Sequence, residues 1–205
     1  RKQPDGAIRE MVDELLAERD EKKSLRDDHD PDEPAYEQYD RQQQAVKVIM
    51  NSLYGVLGWD RFRLYDKEMG AAVTATGREV IEFTETAAAE RDKKVVYGDT
   101  DSVMLELGNE ISEEEAIEQS FDLEEYINDR YDEFALERLN AEGHRFEIEF
   151  EKLYRRFFQA GKKKRYAGHI VWKEGKDVDD IDITGFEYTR SDIAPITKEV
   201  QREVI

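Results

Sequence analysis

Ile8, Met11, Val12, Leu15 and Leu16 recur every three or four residues, the period of one helix face, so the spacing predicts an amphipathic helix over about 7–26, after Pro4-Asp5-Gly6. The run Asp27-Asp28-His29-Asp30-Pro31-Asp32-Glu33-Pro34 ends it, because dense charge and two prolines oppose continuation. A second helix is expected over about 35–53, stopping near Gly55 and Gly58. Two helices joined by a short polar turn make an antiparallel hairpin that projects rather than forming a compact core. From Arg61 the pattern changes: Phe62, Leu64 and Tyr65 predict a short strand, and about 66–91 is alanine-rich and helical, with Ala71, Ala72, Ala75 and Val80 available for packing. Residues 94–107 predict strand, tight turn and strand, since apolar, β-favouring residues flank Gly-Asp-Thr-Asp. Ser112 with Glu115 three residues on is a capping box, opening a long acidic helix to about Asn140. Further strands are expected at 146–158, 165–173 and 180–187, and another helix from Asp192. The order gives an α+β fold: a helical hairpin attached to an antiparallel sheet with packed helices.

The 205 residues correspond to one or two domains with room for a core. Acidic residues outnumber basic ones 50 to 31, for a net charge of −19, but 39% of residues are apolar and 10% aromatic, so the charge lies on a foldable chain. The lack of cysteine excludes disulfides, thiolate zinc sites and a cysteine nucleophile. Apolar runs are a few residues long and no charged, apolar, small-residue leader opens the chain, so the expectation is a soluble, cytoplasmic protein with no membrane partner. A strongly acidic protein would ordinarily repel nucleic acid. The charge is uneven, however. Between Glu110 and Glu142 stand thirteen acidic residues against two basic, and between Glu151 and Tyr166 seven basic against one acidic. An acidic solvating surface of the halophilic kind, laid over a protein that needs a positive groove, would produce this distribution; so would two ordinary solvated faces.

Three groups of residues carry candidate chemistry. In the second predicted helix Lys47, Asn51 and Tyr54 fall within a narrow arc, while Val46, Ile49, Met50 and Leu53 fall on another. In the first, Arg19 and Lys23 are one turn apart, and Arg19 extends the line of Ile8, Val12 and Leu15, where a packing residue would be expected. Two cationic helix faces that can meet suit a polyphosphate; the alternative is solvent-facing charge. In Tyr97-Gly98-Asp99-Thr100-Asp101-Ser102 the two carboxylates share a face two residues apart, an arrangement that calls for a cation such as Mg²⁺ or else marks a plain polar turn. A calcium loop is excluded, because Val103 takes a ligand position and Met104 that of the required glycine. Lys162-Lys163-Lys164-Arg165-Tyr166 sets alternate cations on one side of a predicted strand, fit to track a sugar-phosphate backbone or to blunt a sheet edge. His29, His144 and His169 lack metal-ligand spacing and are expected to be surface or locally bonded.

KVIMNSLYG at 47–55, YGDTDS at 97–102 and KKRY at 163–166 resemble three motifs of the family B DNA polymerases, in that family's order and with compatible spacing. LLAERDEKK resembles the first fingers helix, VTATGRE the palm helix after the fingers, and GFEYTRSD the start of the thumb. The resemblance implies fingers over 1–55, palm over 56–188 with the catalytic hairpin near 95–107, and thumb from 189 to 205. It implies that Asp101 binds catalytic metal with Asp99 supporting it, and that Arg19, Lys23, Lys47 and Asn51 hold the nucleotide triphosphate. Tyr54 would lie near the nascent base pair, and Lys163, Lys164, Arg165 and Tyr166 would hold primer-template DNA. Two Mg²⁺ ions would serve transfer from dNTP to the primer 3′-hydroxyl. The family's other metal-binding aspartate lies in an Asp-x-x-Ser-Leu-Tyr-Pro string that does not occur here, so a fragment is expected, from a halophilic archaeal source. Its partners would be the exonuclease domain, the N-terminal palm bearing that aspartate, and the thumb. A non-catalytic nucleic-acid-binding remnant or assembly subunit is the alternative, disfavoured because a remnant has no need of the Asp99–Asp101 pair.

Overall fold

The computed structural model describes residues 6–205; Pro4-Asp5, the expected lead-in to the first helix, lies outside them. The chain divides into two compact units, one ending at Ala75 and the other running Thr76–Ile205. The architecture is α+β, with five α-helices and two small antiparallel sheets among the described residues.

In the first unit α1 (Ala7–Asp27) packs along α2 (Pro34–Leu57). A two-helix pair has one seam, so burial is sparse: α1 buries no residue fully, and α2 buries Gln43, Val46 and Leu57. The seam is partly polar. Arg19 Nε donates to Gln43 Oε1 at 3.3 Å, Gln43 Nε2 donates to Asp40 Oδ1 at 2.9 Å, and Arg26 donates to the same oxygen at 3.2 Å. Gln43 is only 3% exposed, and this chain of bonds employs both ends of its amide, without which burial would be costly. Pro34 stands in the first turn of α2, where a missing N–H is harmless.

The strand expected around Phe62, Leu64 and Tyr65 is not formed. Phe62 N–H donates to Trp59 O and Tyr65 N–H to Phe62 O, at 2.9 and 3.0 Å, closing successive three-residue turns instead. A strand there would need a partner, and local bonds satisfy the backbone without one. Asp66 Oδ1 then accepts the N–H groups of Glu68 and Met69 and opens α3 (Lys67–Glu90).

The core of the second unit lies where α3 meets α4 (Glu113–Leu139). Ala87, Leu123, Ile127, Tyr131 and Phe134 are buried there, flanked by Phe83, Leu105 and Phe146. Ser112 and Glu115 form the expected capping box. At the centre Thr84 Oγ1 donates to Val80 O at 2.8 Å, so the Tyr131 hydroxyl is the donor in the 2.7 Å bond between Tyr131 and Thr84. The two sheets are the hairpin β1 (Lys94–Gly98) with β2 (Val103–Glu106), and β3 (Lys152–Gln159), β4 (Tyr166–Lys173) and β5 (Lys176–Thr184) with β4 central. Ala167, Ile170, Val171 and Trp172 bury both faces of β4.

Two strand boundaries depart from expectation. The segment 146–151 alternates like a strand but pairs with a helix: Asn128 accepts from Ile148 N–H and donates to Ile148 O, both at 2.9 Å, and Glu124 accepts from Phe150 N–H. His144 Nδ1 accepts from Phe146 N–H at 3.0 Å, which leaves Nε2–H to donate to Asp132 at 3.1 Å. Glu124, Asn128 and Asp132 are one turn apart on α4, so a stripe of helix side chains stands where a neighbouring strand would. The last strand begins at Lys176 rather than 180, because Glu174 and Gly175, with φ of 46° and 85°, close a two-residue hairpin turn. It ends at Thr184, followed by a 3₁₀ turn (Glu187–Thr189) and by α5 (Pro195–Val204), which starts at its proline instead of Asp192.

Candidate functional site

The turn joining β1 to β2 carries Asp99 and Asp101. Asp99 N–H donates to Ser102 O at 2.9 Å and closes it. The Asp99 carboxylate accepts from Thr100 Oγ1 at 3.2 Å and from the Lys164 ammonium at 2.9 Å. The lysine hydrogen bond, aided by the Thr100 backbone N–H, holds Asp99 below the usual carboxylate range, and the same contact raises Lys164. Asp101 is exposed, makes no hydrogen bond among the described residues, and adds its charge to the field at Lys164. Beneath the turn, a Cβ added at Gly98 would lie 2.8 Å from a carboxylate oxygen of Glu85 on α3, the far end of a flexible side chain that could move aside.

The contact from Lys164 to Asp99 depends on the loop before β4. Lys164 has φ of 61°, its N–H donates to the Tyr97 hydroxyl at 2.9 Å, and Ala160 N–H donates to Arg165 O across the loop. Tyr97 is buried, with the rings of Tyr166 and Phe157 centred 5.4 and 6.3 Å away. On the other side Gly185, with φ of 69°, lies so near that an added Cβ would be 1.5 Å from Lys164 O. Arg165 donates to Glu187 at 3.3 Å. The strings YGDTDS, KKRY and GFEY, far apart in sequence, therefore meet at one loop. Sequence reasoning named Asp99, Lys164 and Arg165 but missed Tyr97, Gly185 and Glu85; a glycine just past a polar strand was the one available signal. Lys163, like Lys162, is exposed with no ion-pair partner among the described residues, whereas Tyr166 is half-buried in the aromatic cluster.

In the first unit Lys47, Asn51 and Tyr54 occupy the exposed face of α2. The Tyr54 hydroxyl lies 2.7 Å from Thr74 Oγ1, which itself donates to Gly70 O, so Tyr54 is the donor. Arg19 and Lys23 are half-buried on α1. The bond from Arg19 to Gln43, one turn before Lys47, brings its guanidinium to the seam beside that face.

Two hard carboxylates two residues apart suit Mg²⁺, which takes one or two carboxylates and leaves other positions for water and phosphate. Among the described residues no group of three or more His, Asp or Glu side chains is placed to hold a metal ion. The histidines are locally bonded, His29 to Glu33, His144 to Asp132 and His169 to Asp179.

The sequence matches DNA polymerase family B over residues 1–205. The chain belongs to that family. DNA polymerase 2 of Aeropyrum pernix is 35% identical over 204 residues, which span all of this chain and 22% of that protein. The DNA polymerase of Archaeoglobus fulgidus is 32% identical over 205 residues, covering 23% of its length. The solved family B DNA polymerase of the hyperthermophilic archaeon Pyrobaculum calidifontis superposes on the whole chain with a TM-score of 0.64 at 33% identity, over 22% of its own length. The chain thus spans about a fifth of these family B relatives. No helix among the described residues is long and apolar enough to cross a membrane.

Proposed function

We propose that this chain carries part of the active site of a DNA-directed DNA polymerase that adds nucleotides from dNTP to a primer 3′-hydroxyl. The observation that supports it best is the docking of the KKRY loop onto the Asp99–Asp101 turn, within a chain that matches family B polymerases along its length. Asp101, exposed at the turn, and Asp99 beside it hold divalent metal; two bound Mg²⁺ ions would supply Lewis-acid stabilisation of the attacking and departing oxygens. Lys47, Asn51, Arg19 and Lys23 grip the triphosphate, and Tyr54, fixed by Thr74, abuts the new base pair. Lys163 and Arg165 act on the duplex backbone, with Tyr166 packing the strand that presents them. In this reading residues 1–55 are fingers, 56–188 palm and 189–205 the start of the thumb, and the acidic surface is that of a salt-adapted, halophilic archaeal protein.

Asp101→Ala in a polymerase containing these residues should reduce primer extension by more than a thousandfold while primer-template affinity changes less than about threefold; extension within tenfold of the parent would refute the metal assignment. In this reading Asp99 and Asp101 are a partial ligand set, so the polypeptide of this sequence alone should extend no primer in Mg²⁺, and a second polypeptide supplying the opposing aspartate should restore extension. Extension by the chain alone, lost with Asp101→Ala, would show the set to be sufficient.

A further inference from the structure

Of the three consecutive lysines at 162–164, only Lys164 has an ion-pair partner among the described residues. Its side chain is 66% exposed while the Asp99 side chain it meets is 20% exposed. Its backbone is clamped: the N–H is held by the buried Tyr97 hydroxyl and the carbonyl lies against Gly185. These contacts hold the backbone in place, while four methylenes let the ammonium swing between the carboxylate on one side and solvent on the other. Asp99, left without it, would keep only the Thr100 hydroxyl and backbone N–H to stabilise its charge.

We propose that Lys164 is an exchangeable internal counter-ion, neutralising Asp99 while no nucleic acid is bound and turning to a backbone phosphate when a duplex arrives, so that duplex and divalent cation favour each other's binding. The exchange rests on the polymerase reading above and adds a coupling to it. One ammonium carries one charge. Paired with a phosphate, it no longer offsets the two carboxylates, and a divalent cation takes its place. Before the duplex binds, the ammonium competes with metal and keeps the carboxylate pair from drawing cations out of solution. Coupling of this kind is reciprocal: whatever factor the duplex adds to cation affinity, the cation adds to duplex affinity.

The test is Mn²⁺ binding to this chain, measured by the electron paramagnetic resonance signal of free Mn²⁺, counting only sites lost in Asp101→Ala. Lys164→Met should raise affinity without DNA at least about fivefold. A short primer-template duplex should raise parental affinity by a factor within the usual range of about 5 to 150, and raise it distinctly less in Lys164→Met. Lys162→Met removes an equal charge from the same loop and should leave DNA-free affinity within about twofold. Amide exchange at residue 164 should stay slow in Lys164→Met, showing the clamp on Tyr97 intact. Unchanged or weaker Mn²⁺ binding in Lys164→Met, or an equal gain in Lys162→Met, would overturn the exchange. Loss of primer extension in Asp101→Ala is scored separately, so the coupling can fail while the polymerase reading stands.

Discussion

Single atoms decide how closely the parts of the site approach. At Gly185 both φ and contact demand glycine, since a side chain would be strained at 69° and would overlap the Lys164 carbonyl. Gly185→Ala should therefore displace the 161–165 loop, seen as faster amide exchange at Lys164, and lower stability by at least about 2 kcal/mol, the strain of a left-handed alanine being about 1 to 2 before any clash. Tyr131 offers a contrast, because its hydroxyl donates to a Thr84 oxygen whose own proton is already given to Val80. Burial pushes that phenol above its ordinary range. Tyr131→Phe removes the donor without stranding one, so urea denaturation should show a loss of only about 1 kcal/mol.

Elements show which parts of the fold were legible in the sequence. Helices were, because apolar period, prolines and the Ser112 capping box are local signals, and Glu113–Leu139 begins where the box places it. The β1–β2 hairpin was legible for the same reason. Phe62, Leu64 and Tyr65 misled because three apolar residues in a short span look the same whether they line a strand or successive turns. Residues 146–151 misled differently: the alternation is real, but the partner is the Glu124, Asn128 and Asp132 stripe of α4, which no local pattern discloses. In the site, residue types at Asp99, Asp101 and 163–165 were legible, while the pairing of Lys164 with Asp99 needed the tertiary fold, 67 residues separating Lys164 from the tyrosine that holds it. The bonding of α4 side chains to the 146–151 backbone has a measurable consequence. Asn128→Leu would leave both Ile148 backbone groups without partners, and each stranded group costs about 1 to 3 kcal/mol, so the variant should lose at least about 2 kcal/mol and exchange the Ile148 amide far faster.

For the whole molecule, net charge and local charge pull salt dependence in opposite directions. A charge of −19 repels itself, and added salt screens that repulsion over about 10 Å at 0.1 M and about 3 Å at 1 M. The melting temperature should therefore climb as NaCl rises from 0.1 to 2 M, with most ion pairs contributing little against it because they are exposed. On the proposed polymerase reading, duplex binding should weaken over the same range, since each phosphate neutralised by a lysine or arginine releases a counterion and steepens the fall of log affinity with log salt by about 0.9. Lys163→Ala should flatten that slope by about one such unit and leave the melting curve unchanged, because Lys163 has no ion-pair partner among the described residues to lose. Stability independent of salt would show that the acidic surface carries its charge without net repulsion. A binding slope unaltered by Lys163→Ala would remove that lysine from the duplex interface and leave Arg165, already bonded to Glu187, to be tested in its place.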